Sequence, residues 1–143
     1  TAFMKQYEQH LMDRTVFFPH GREILDHFAD KKKAVLSNKP ERFIRLILEE
    51  LGSLECFDAI AGGDTYDKKK PDPMGLLDLM KKLDVIPERT LMIGDSQVDI
   101  DTGRAAGVKT CGVTFGHATR EEMAALKPDW MVDDMTELKK LFM

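Results

Sequence analysis

Residues 90–114 read TLMIGDSQVDIDTGRAAGVKTCGVT. A short apolar run, Thr90 to Ile93, stops at Gly94 and Asp95. An amphipathic stretch follows from Gln97 to Ala106, and Gly107 is placed to end it in the left-handed conformation that glycine adopts without steric cost. A second apolar, β-branched run then covers Thr110 to Thr114. Strand, helix and strand in this order form a βαβ unit, whose two strands lie parallel in one sheet.

The same alternation extends in both directions. Upstream, Lys33 to Ser37 reads as a buried strand ending in polar Ser37 and Asn38. Pro40 suits the first turn of a helix, in which Phe43, Ile44, Ile47, Leu48 and Leu51 recur at helical spacing, with Gly52 just past the end. Phe57 to Ala61 is a strand leading into Gly62, Gly63 and Asp64, and Pro73 opens a helix whose buried face is Leu76, Leu77, Met80 and Leu83. Helices are also expected over Phe3–Asp13 and Arg22–Phe28, separated by Phe18, Pro19 and Gly21. Downstream, a helix over Arg120–Leu126, a strand at Trp130–Val132 and a last helix over Thr136–Phe142 complete the chain. The fold class is α/β, a three-layer, Rossmann-like parallel sheet with helices on both faces.

At 143 residues the chain is one domain's worth of sequence. Its 43% hydrophobic residues, net charge of −4 and lack of a long single-sign block argue against a nucleic-acid grip. No apolar run is long enough to cross a bilayer, and the first residues lack a secretory h-region, so a cytoplasmic location is expected. Cys56 and Cys111 form no C-x-x-C pair and read as small buried hydrophobes.

Ligands of open parallel sheets bind beyond the carboxyl ends of the strands, and four places qualify. Asp95 and Asp99 lie at a strand tip and one turn into the following helix; two carboxylates there suit a hard cation such as magnesium, or a helix cap beside a solvated side chain. Ser37 and Asn38 offer a hydroxyl and backbone N–H groups for a phosphate oxygen near a helix N-terminus, although both residues are also common caps. In Lys68-Lys69-Lys70-Pro71-Asp72-Pro73 the prolines stiffen the loop and single out Lys70 as the ammonium held in place, where a lysine run is otherwise solvated surface. Gly62-Gly63-Asp64 reads mainly as a tight turn.

Taken together, LSNKP (36–40), KKKPDP (68–73) and IGDSQVDI (93–100) resemble the second, third and fourth motifs of the haloacid dehalogenase superfamily. GVTFG at Gly112–Gly116 and PDWMVDDMTEL near the end are similar to its phosphoglycolate phosphatase-like branch. The resemblance runs from about Pro19 onward. It implies that Ser37 and the Asn38 backbone bind the transferred phosphoryl group, that Lys70 neutralises it, and that Asp95 and Asp99 hold Mg2+, directly or through water. It further implies a magnesium-dependent phosphatase attacking small phosphorylated metabolites through an aspartyl-phosphate.

The family's first motif, Asp-x-Asp-Gly-Thr at a strand end, has no counterpart before Ser37; Asp13 and Asp26 stand alone in helical segments. The expected organisation is therefore residues 1–17 as a remnant of a cap or linker helix and residues 18–143 as a core domain without its first strand. The chain is then the C-terminal part of a longer protein, as a fragment or a natural truncation, and inactive alone. A non-catalytic phosphate-binding or interaction module is the reading of a different class, and a phosphosugar mutase-like parent a related one. In the family the missing strand lies between those ending at Ser37 and Ile93, which would leave the flanking pair roughly 10 Å apart. Unpaired buried backbone groups cost ~1–3 kcal/mol each against a total stability of about 5–15 kcal/mol. The slot is therefore expected to be filled by a complementing segment or another chain, or closed by direct pairing of its two edges. An apolar face left by the missing cap also favours self-association.

Overall fold

The computed structural model describes residues 26–114 and 116–142. The expected helix over Phe3–Asp13 lies outside them, as does most of that over Arg22–Phe28, of which Asp26 and His27 are helical. The described chain runs β1 (Ala34–Leu36), α1 (Glu41–Glu50), β2 (Ala59–Ala61), α2 (Met74–Leu83), β3 (Leu91–Gly94), α3 (Gln97–Ala106), β4 (Lys109–Val113), α4 (Arg120–Leu126), β5 (Trp130–Val132) and α5 (Leu138–Leu141). Every strand pairing in it is parallel.

Among the described residues the sheet comes in two pieces. β1 pairs with β2 in the register Val35 to Ile60, and β3, β4 and β5 form a second ladder in which Gly94 faces Gly112 and Val113 faces Val132. Among the described residues β1 and β3 share no ladder, so the two edges do not close on each other. Ile93, in the middle of an apolar strand, remains 42% exposed.

Apolar packing carries the fold across this division. On one face Leu76 and Met80 of α2 pack with Met92 of β3, Ala106 of α3 and Val108, and Leu36 of β1 joins them. Ile100 of α3 and Met123 of α4, both fully buried, close the same side beside Met131. On the opposite face Cys111, Val113, Val132 and Leu138 form a core flanked by Phe28, Trp130 and Phe142. Alternate residues of β4 thus serve opposite layers, as the two-residue period of a strand requires. Burial pushes the Cys111 thiol up to about 11, consistent with a packing residue.

Local chemistry explains the element ends. Gly107 ends α3 at φ 78°, and Asp84 and Lys127 take the same left-handed role after α2 and α4 without being glycine. Thr119 and Glu122 form a reciprocal capping box at the start of α4. β2 begins at Ala59 because Asp58 is already engaged: its N–H donates to Lys33 O, and its carboxylate accepts from the Lys33 N–H. The expected last helix divides into a 3-10 turn over Met135–Glu137 and the single turn of α5, since Asp134 and Glu137 cap the turn first.

Ile100 is fully buried one residue beyond Asp99. Ile100→Ala is expected to destabilise the domain by about 2–5 kcal/mol, read as a lowered denaturation midpoint in urea at unchanged slope. An unshifted midpoint would show that α3 does not rest on this contact.

Candidate active site

The four candidate stretches fall at the carboxyl ends of β1, β2 and β3 and in the loop before α2. Asp95 follows β3 directly, and Ser96 begins α3 in extended conformation. Asp99 sits in the first turn of α3, where a carboxylate is favoured by the unsatisfied N–H groups of the helix start. It folds back so that Oδ2 accepts from the Asp95 N–H at 3.1 Å and the Ser96 hydroxyl at 3.2 Å. Only glycine fits at position 94 for this, because a Cβ there would lie 2.1 Å from Asp99 Cβ. Asp99 is therefore not solvated surface; it is 7% exposed.

Its other oxygen, Oδ1, meets Lys70 Nζ at 2.5 Å, both side chains being about nine-tenths covered (11% and 10% exposed). Lys70 is thus the lysine drawn inward, whereas Lys68 makes a loose, exposed pair with Asp72 at 3.9 Å. The backbone of Lys70, in turn, is bonded to the Asn38 side chain at both its N–H and its carbonyl. Asn38, Lys70, Asp99 and Asp95 consequently form one continuous chain of contacts from the tip of β1 to the tip of β3. Ser37 stands beside it: its N–H donates to Ala61 O, and its hydroxyl accepts from the Lys39 N–H at 3.2 Å, which leaves the hydroxyl proton to donate elsewhere.

Beside this geometry stand the comparisons with known proteins, which bear on the family. The sequence pattern of haloacid dehalogenase-like hydrolases matches residues 1–113. The chain belongs to that family. It is 37% identical over 139 residues to a phosphoglycolate phosphatase of Pseudomonas putida, covering 95% of this chain and 50% of the relative. The phosphoglycolate phosphatase of Colwellia psychrerythraea is 37% identical over 140 residues, 96% of this chain and 62% of that one. A crystal structure of a predicted phosphoglycolate phosphatase from Haemophilus somnus superposes with a TM-score of 0.82 at 32% identity, over 87% of this chain and 56% of that one. The chain thus spans about half to three-fifths of the length of these relatives.

As a member of the haloacid dehalogenase-like hydrolases, the chain has further site features that periodicity and spacing did not reveal. The loop after β4 presses on Asp95: the His117 N–H donates to Asp95 Oδ2 at 3.2 Å, the Ala118 N–H donates to Asp95 O at 2.8 Å, and a Cβ on Gly116 would lie 2.4 Å from Asp95 Cβ. Asp64, one residue past the paired glycines, accepts the Glu41 N–H at 2.8 Å and so caps α1 from across the sheet. Next to the site, Thr114 and Arg120 both bond Asp133 and hold its carboxyl below the usual carboxylate range.

The donor set bears on a cation. No group of three or more His, Cys, Asp or Glu residues converges among the described residues. Magnesium, however, uses one or two protein carboxylates with water and substrate phosphate, and Asp95 with its neighbour Asp99 offers that many. The residues present fit a partial magnesium shell.

The Lys70–Asp99 pair is covered enough that removing one partner strands the other. Asp99→Asn is expected to cost about 3–5 kcal/mol, and pairing it with Lys70→Met is expected to recover most of the loss. Chemical denaturation of both single variants and the double variant measures this; strictly additive losses would show that the two side chains do not interact.

Proposed function

We propose that this chain carries the phosphoryl- and magnesium-binding part of a phosphatase of the phosphoglycolate phosphatase type, acting on small phosphorylated metabolites. The observation that carries the reading is the Lys70–Asp99 contact, with Asp95 immediately beside it and Ser37 next to Asn38, whose side chain holds the Lys70 backbone. A covered ammonium at the rim of a parallel sheet is suited to neutralising a phosphoryl group in a site of reduced dielectric. Ser37 would donate its hydroxyl proton, and Asn38 its backbone N–H, to phosphoryl oxygens.

Asp95 would ligate Mg2+, and Asp99 would hold it directly or through water while sharing charge with Lys70. The ion, when bound, supplies Lewis-acid polarisation of a phosphoryl oxygen. The attacking aspartate of the family has no counterpart at the expected place in the 143 residues. The chain alone is accordingly expected to bind and polarise a phosphate ester without attacking it. A complementing strand between β1 and β3, which share no ladder among the described residues, would pair with both and bring such a group to the rim. Two free cysteines, Cys111 being buried, are compatible with a reducing cytoplasm, and no described helix is long and apolar enough to cross a membrane.

Magnesium titration followed by NMR tests the metal reading: the Asp95 region is expected to shift in the parent chain and not in Asp95→Asn, and equal responses would defeat it. In the presence of magnesium, Lys70→Ala is expected to weaken inorganic phosphate binding by about tenfold, or ~1.4 kcal/mol. Hydrolysis of a generic phosphate ester by the parent chain should stay at background; turnover abolished by Lys70→Ala would show that an attacking group is present after all.

A further inference from the structure

Lys70 is gripped twice, and the two grips are of different kinds. Its ammonium is held by Asp99 from the β3 side. Its backbone is held from the β1 side by a single side chain: Asn38 Oδ1 accepts from the Lys70 N–H at 2.9 Å, and Asn38 Nδ2 donates to the Lys70 carbonyl at 3.1 Å. One carboxamide therefore satisfies both polar groups of one peptide residue, as a neighbouring strand would. The orientation of the amide is dictated by the fixed polarity of the backbone it faces, since the reversed amide would set donor against donor and acceptor against acceptor.

Within the loop, the Asp72 N–H donates to Lys69 O and closes a turn around Lys70 and Pro71, and the Met74 N–H donates to the Asp72 carboxylate. Neither bond uses the N–H or the carbonyl of Lys70, and Pro71 and Pro73 contribute no N–H, so both polar groups of the Lys70 backbone are left to the Asn38 carboxamide. Asn38 itself is well seated. The Gly63 N–H donates to Lys39 O at 2.7 Å, and a Cβ on Gly63 would lie 2.1 Å from Asn38 O and 3.2 Å from Lys69 Cε. The paired glycines after β2 are thus the floor on which the Asn38 turn and the lysine loop meet.

We infer that the Asn38 side chain is a positioning residue for Lys70, setting where its ammonium stands relative to a bound phosphoryl group. The inference rests on the reading of Lys70 given above. Serine or alanine at position 38 could still offer the backbone N–H to phosphate; neither could span both backbone groups of Lys70. Aspartate would oppose a carboxylate to the Lys70 carbonyl and lose the donor.

The test is a double-mutant cycle on inorganic phosphate affinity, in magnesium, with Asn38→Ala, Lys70→Ala and the double variant, together with hydrogen exchange of the Lys70 amide. Asn38→Ala is expected to weaken phosphate binding severalfold when Lys70 is present and to cost nothing more once Lys70 is alanine. The Lys70 amide is expected to exchange slowly in the parent chain and faster in Asn38→Ala. An equal loss with and without Lys70 would mean that the carboxamide touches the anion itself, and would overturn the positioning role. So would unchanged Lys70 amide exchange, a readout that needs no anion to bind. If Lys70→Ala binds phosphate as well as the parent while the amide exchange responds to Asn38, the clamp stands as geometry, but the reading of Lys70 falls and the positioning role falls with it.

Discussion

The ion pair between Lys70 and Asp99 is the polar link on which the site's arrangement depends. The described strands form two ladders that share no hydrogen bond, so nothing in the sheet itself fixes one strand tip against the other. The apolar core beneath α2 holds the two pieces together, but apolar contact is non-directional and sets no polar geometry. A covered ammonium and carboxylate at 2.5 Å do set it. Each charge has left most of its water; Asp99 compensates the Lys70 ammonium, while Lys70, the Asp95 N–H and the Ser96 hydroxyl together compensate the Asp99 carboxylate, so the pair tolerates little displacement. Asn38 and Gly63 anchor one end of this link, while Gly94, Ser96 and the Asp95 backbone anchor the other.

Much of the fold could be read directly from residues. α3, α4 and β5 fall where the sequence reading placed them, from Gln97 to Ala106, Arg120 to Leu126 and Trp130 to Val132. These are segments whose ends carry their own chemistry, such as Gly107 or the Thr119–Glu122 box. Two boundaries moved: one end is set by a partner distant in sequence, Asp58 being taken up by Lys33, and the other by a local capping box, in which Asp134 and Glu137 tighten the last helix into a 3-10 turn. The left-handed turns at Asp84 and Lys127 lack the glycine that usually announces them.

The site was legible as a set of residues but not as a set of contacts. Spacing presented Asp95 and Asp99 as two equal acids, yet the folded chain gives them different neighbours, a lysine for Asp99 and the His117 backbone for Asp95. Asn38 drew notice for its backbone and proves also to engage through its side chain; Gly62-Gly63-Asp64 looked least informative and turns out to seat the lysine loop and cap α1. Long-range pairings of this kind leave no periodic trace, because each partner alone looks like an ordinary turn or surface residue.

The most direct measurement is NMR detection of the Lys70 ammonium with a scalar coupling sought across the hydrogen bond to the Asp99 carboxylate carbon. A measurable coupling, with slowed proton exchange at Lys70 Nζ that is lost in Asp99→Asn, is the result this account predicts. A Lys70 ammonium exchanging as fast as that of exposed Lys68, with no coupling, would contradict it.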